Sequence, residues 1–167
     1  IRLVPDGENG TSASFGYYAW DQTQGVAGGT ANVSVRGGTS AFGTDADTAS
    51  LTVSDANDSP LLTAISPVLT GIGEDDADNQ GNPVSSFVGT SISDPDTGAV
   101  SGIAIYAADS GNGTWEFSAD NGISWESFGT VGTASALPLG TEDRVRFVPD
   151  GENGESVSFS YYAWDRT

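Results

Sequence analysis

Carboxylates are the one reactive group this chain carries in quantity. Asp and Glu number 23 against 5 basic residues, a formal charge of −18. The basic residues are all arginines: Arg2, Arg36, Arg144, Arg146 and Arg166. Such a surface attracts cations, and hard oxygen ligands favour calcium over zinc. It repels nucleic acid and anionic membranes, so neither is expected as a partner. Cys is absent, which removes thiol nucleophiles, disulfides and zinc fingers. His is absent too, and with it the commonest general base and every Ser-His-Asp triad. Paired carboxylates can serve as glycosidase acid and base, and Glu116 and Glu126 flank a hairpin beside Trp115 and Trp125. Aromatic rings on a sheet face stack on sugars, but Trp in a sandwich more often packs in the core. The expectation is therefore no enzyme. Glycan binding through the Trp115/Trp125 hairpin is the rival to a structural role.

The elements that must hold these groups are set by an internal repeat. Residues 1–23 read IRLVPDGENGTSASFGYYAWDQT, and residues 145–167 read VRFVPDGENGESVSFSYYAWDRT. The offset is 144, and 17 of the 23 positions are identical. Self-similarity at a long fixed period marks an array of modules. With Ile1 in place of Met, the chain reads as a piece of something longer. Strand after strand follows by period-two alternation. Val157, Phe159, Tyr161 and Ala163 alternate with Ser156, Ser158, Ser160 and Tyr162. Ala49, Leu51 and Val53 form a second such row, Val88, Thr90 and Ile92 a third, and Ile103, Ile105 and Ala107 a fourth. Trp115 and Phe117 flank Glu116, and Val145 and Phe147 flank Arg146. Turn clusters DGENG, DPDTG, DSGNG and ADNG separate them, and no helix of ten residues is expected.

This pattern predicts an all-β chain, an antiparallel β-sandwich with one inward apolar layer from each sheet. Pro60 ends sheet pairing after the 49–53 strand, which places a boundary at Asp55-Ala56-Asn57-Asp58-Ser59-Pro60. Residues 1–54 then form the back half of one module, 55–60 a linker, and 61–167 the front three-quarters of the next. Residues 25–47 form a long Gly/Thr-rich connection, whose NVSV at 32–35 is expected as an edge hairpin. No run of about 18 apolar residues is present, so no membrane-spanning helix is expected.

Several of these segments resemble one family. DANDSP closing a strand resembles the inter-domain linker of cadherin-like (Ig-like) modules. VPDGENGTSASFGYYAWD is similar to the penultimate strand of cadherin-like repeats in giant bacterial surface adhesins, and SISDPDTGAVSGIAI to their Asp-x-Asp loop. The resemblance implies calcium at the module junctions. Asp6 and Glu8 would come from the end of the first module, and Asp55, Asn57 and Asp58 from the linker. Asp94, Asp96 and Asp165 would come from the second module. Glu74, by the same analogy, serves the far end of its own module with Asp150 and Glu152. The sequence departs from the family where cadherins proper carry Arg in the acidic loop; here Gly7 and Gly151 stand. Asp, Asn and Gly are also the default residues of turns, and an acidic surface keeps a secreted repeat soluble.

A second motif resembles another family. Ser118-Ala119-Asp120-Asn121-Gly122-Ile123-Ser124-Trp125 is similar to the Asp-box of sialidases and other propellers. There the box is a structural hairpin, with Asp and Ser satisfying turn amides and Trp packed beneath. Only one box occurs, and five scattered Arg do not supply a sialidase site. The expected role is thus a structural repeat of a large secreted bacterial surface protein. It would be extracellular, stiffened by calcium, and partnered head-to-tail by neighbouring copies of itself, with surface glycans as the further candidate partner.

Overall fold

The computed structural model describes all 167 residues, and these form two compact units, Ile1–Ala56 and Asn57–Thr167. The chain is all-β apart from one short helix.

The first unit is a long antiparallel ribbon, β1 (Thr11–Trp20) paired with β2 (Phe42–Val53). Alternation places Ala13 opposite Leu51, Phe15 opposite Ala49, and Tyr17 opposite Asp47. The Tyr17 hydroxyl donates to Asp47 Oδ2 at 3.1 Å. Ala41 is the only buried apolar side chain of this unit, while Phe15, Tyr17 and Leu51 are 43, 46 and 53 % exposed. The 21–41 connection is loop throughout. NVSV therefore forms no hairpin: Asn32 Oδ1 instead caps the Ser34 amide, and the Arg36 guanidinium donates to the Val33 carbonyl. Those local bonds compete with a ladder.

The second unit is a β-sandwich. One sheet holds β4 (Asn82–Pro83), β10 (Arg144–Val148), β7 (Thr114–Ser118) and β8 (Glu126–Ser127), in that order. The other holds β11 (Ser158–Trp164), β6 (Gly102–Asp109) and β9 (Leu137–Gly140). A small pair, β3 (Leu61–Leu62) with β5 (Ile92–Ser93), forms a sheet of its own, with Ile92 packed against the core. The inner faces meet in one core: Ile103, Ile105 and Leu139 from one sheet, Trp115, Val145 and Phe147 from the other. Trp115 stacks on Phe128 at 5.8 Å and meets Phe159 edge-on at 5.0 Å.

Two local features depart from strict alternation. Val88, expected in a strand with Thr90 and Ile92, instead ends helix α1 (Val84–Val88). Val84, Phe87 and Val88 are spaced three and four apart, and all three are buried in the core. The Val84 and Ser85 amides, orphaned at the helix start, donate to the Asp143 and Thr141 carbonyls. The second departure is in β6. Its pairing with β11 shifts by one residue between Ser160 and Tyr161, which leaves Tyr106 out of register. That bulge moves the inward row from Ile103 and Ile105 to Ala108, so Ala107 faces outward.

Candidate metal centre

Within the second unit, five of the candidate residues are brought together by hydrogen bonds from three separate segments. The Asn57 side-chain amide donates to Asp165 Oδ2 at 2.8 Å and to the Asp58 carbonyl at 3.1 Å. The Asp58 amide donates to Asp96 Oδ2 at 2.8 Å, and the Asp96 amide to Asp94 Oδ1 at 2.8 Å. Asp165 Oδ1 also accepts from the Thr167 amide and hydroxyl. The Asn57 amide first, and Thr167 after it, hold the Asp165 carboxyl below the usual carboxylate range. Two oxygens in this group, Asp94 Oδ2 and Asp96 Oδ1, are buried and have no hydrogen-bond donor. A buried carboxylate oxygen without a donor is costly. No three acidic side chains converge closely enough to hold an ion by themselves.

The remaining candidates sit in turns. In the first unit the Glu8 amide donates to Asp6 Oδ1 at 3.3 Å, and the Gly10 amide to Asp55 Oδ1 at 2.8 Å. Asp55 therefore ties the strand end to the loop that carries Asp6 and Glu8. Gly10 is required there, because a Cβ would lie 2.7 Å from the Asp55 nitrogen. The duplicate loop repeats the turn: the Glu152 amide donates to Asp150 Oδ1 at 3.0 Å. Asp75 Oδ1, next in sequence to Glu74, lies 3.9 Å from a Cβ built on Gly151 in this turn.

The 118–125 hairpin is a closed hydrogen-bonded turn. Asp120 Oδ1 accepts from the Ser118 hydroxyl and from the Ile123 and Ser124 amides, and Oδ2 accepts from the Ser124 hydroxyl at 2.6 Å. These donors, Ser124 foremost, lower the Asp120 pKa from 3.8 to about 2. Asn121 and Gly122 supply the positive φ angles, +61° and +92°. The Trp pair is not an open platform. Trp115 is 5 % exposed, inside the core, and its indole donates to the Asp109 carbonyl. Trp125 is half-buried, with the Arg146 guanidinium 4.2 Å from its ring centre. Arg146 also bridges to Glu116 at 2.7 Å, its partner across β10 and β7.

No family model, curated protein or solved structure matches the chain. Its chemistry has to be read from its own residues.

Reading residues one by one missed a further feature. A cavity of about 770 Å³ runs beside β11, between residues 66–72 and 155–161. Phe87, Trp115, Phe147 and Phe159 are among its walls.

Proposed function

We propose that this chain is a cadherin-like structural repeat of an extracellular array, a spacer whose junctions calcium stiffens. The observation that carries the reading is the pair of buried, donor-free oxygens on Asp94 and Asp96, set among Asn57, Asp58 and Asp165. The donor set is all oxygen, as a hard cation requires. Calcium takes about six to eight oxygens, so carbonyls and water would complete the shell that too few carboxylates begin. Asn57, Asp94, Asp96 and Asp165, all of the second unit, would hold the ion. Bound calcium would neutralise carboxylates that otherwise repel one another, and the segments carrying them would lose freedom. The work of such a repeat is mechanical, holding a further domain away from a cell surface.

Calcium titration by calorimetry, with melting curves in calcium and in EDTA, tests this. Extracellular modules bind with dissociation constants of about 10⁻⁴–10⁻³ M. The expected result is a rise in Tm with calcium and a fall with EDTA. In the Asp94→Asn/Asp96→Asn variant the amides supply donors of their own, and Tm should no longer respond to calcium. An absence of binding heat together with an unchanged Tm overturns the proposal.

A further inference from the structure

We infer that Asn9–Gly10 is a latent self-modification site, a deamidation pair that the Asp55 carboxylate holds shut. In an Asn-Gly pair the glycine nitrogen can attack the asparagine Cγ. A succinimide ring forms, the Cγ–Nδ2 bond breaks, and ammonia leaves with the proton that the glycine nitrogen gives up. Water then opens the ring to aspartate or isoaspartate. Glycine makes the pair reactive, because no Cβ hinders its nitrogen. The chain carries four such pairs: Asn9–Gly10, Asn112–Gly113, Asn121–Gly122 and Asn153–Gly154. What decides the fate of each is the group that holds the glycine amide. Gly113 donates to the Ser110 carbonyl at 2.9 Å, and Gly122 to the Ser118 hydroxyl at 2.7 Å. Both acceptors belong to the pair's own turn. The Gly10 amide donates instead to Asp55 Oδ1 at 2.8 Å, across 45 residues. Its protection therefore depends on the closed end of the β1–β2 ribbon, where Thr11 pairs with Val53. The fourth pair repeats the first at the 144-residue offset, which puts its counterpart of Asp55 beyond residue 167.

A carboxylate opposes the reaction in two ways. The attacking nitrogen must lose its proton, and the negative charge would then develop 2.8 Å from a carboxylate oxygen. Ring closure also turns that nitrogen towards the Asn9 Cγ, which breaks its bond to Asp55. The pair cannot be made inert by changing the glycine. A Cβ on Gly10 would lie 2.7 Å from the Asp55 nitrogen and 3.0 Å from the Val53 carbonyl oxygen. The close approach that demands glycine thus brings the carboxylate that guards it. Gly10 itself is exposed, so water reaches the site once the bond opens. Either product adds a negative charge beside Glu8, and isoaspartate also lengthens the main chain just before β1 begins at Thr11.

The test incubates the full chain in EDTA, which keeps it independent of the calcium reading, and follows deamidation at each Asn-Gly pair by peptide mapping and mass spectrometry. A synthetic peptide of residues 4–13 gives the unguarded rate. Wild-type Asn9 should react about tenfold or more slowly than the peptide, because a hydrogen bond to a charged group must break before the ring closes. Asp55→Ala should bring Asn9 close to the peptide rate, with Asn112 and Asn121 unchanged. Asp55→Asn, which keeps an acceptor but loses the charge, should fall between. Hydrogen exchange on the same samples separates loss of the guard from melting of the ribbon: the amides in the middle of β1 should exchange at the wild-type rate in Asp55→Asn. Wild-type Asn9 reacting as fast as the peptide overturns the inference. So does an Asn9 rate that neither Asp55 variant changes, or one that rises only in step with exchange along the whole of β1.

Discussion

Asp120 shows how one acidic residue can have a role that is wholly local. Its carboxylate accepts four hydrogen bonds and closes a turn that no ion is needed to stabilise. The depressed pKa fixes the sign of its pH dependence. Folding favours the ionised form, so the contribution is present above 3.8 and fades as pH falls towards 2. Asp120→Ala should lower Tm at neutral pH. The gap between variant and wild type should close on acidification through that window, in melting curves recorded over a pH series. A gap that stays constant down to pH ~2 would show that the carboxylate's charge is irrelevant to the hairpin. Asp94 and Asp96 differ in kind, since each leaves a buried oxygen without a donor. The same residue type thus serves as a finished turn in one place and as an unfinished polar site in another.

Among the elements, β6 carries the most. It lies at the centre of its sheet between β11 and β9, and its Ile103 and Ile105 are fully buried. The bulge at Tyr106 lets one strand serve two phases of the core. Ile105→Ala removes a side chain from a packed interior, which relaxes only partially around such a gap. We expect a loss of about 2–5 kcal/mol in urea unfolding, with an unchanged m-value. A cost below ~1 kcal/mol would mean that the core at this point is loosely packed. By contrast, α1 is held by its three buried apolar residues and by carbonyls of the 141–143 turn, and carries no side-chain cap.

At the scale of the whole molecule, the two units differ sharply in what they bury. The second has a core drawn from two sheets, whereas the first is a two-stranded ribbon with Ala41 as its buried apolar residue. Ribbons of this kind are marginal alone. Amide hydrogen exchange should therefore be fast across β1 and β2 in dilute protein and slowest in β6 and β10. If β1 and β2 exchange as slowly as β6 at high dilution, the ribbon is stable without any partner.

The sequence alone determined the strand-rich class, because period-two alternation and Asp/Asn/Gly turns are local signals that survive without tertiary context. The rows at 157–163, 145–147 and 115–117 all lie in or beside strands. It also displayed the duplication, which is a property of sequence by definition. It misassigned Val88, whose helical spacing to Val84 and Phe87 was present but was outweighed by the alternation that follows. It placed Ala107 on the wrong face, since a bulge is set by the partner strand rather than by the strand itself. For the candidate site, residue types suggested oxygen ligands. Only the tertiary structure decided which of them meet: Asn57 with Asp165, Asp58 with Asp96, and two carboxylate oxygens left without donors. Trp115 follows the same rule. Burial depends on which distant segments pack together, and no local pattern encodes that.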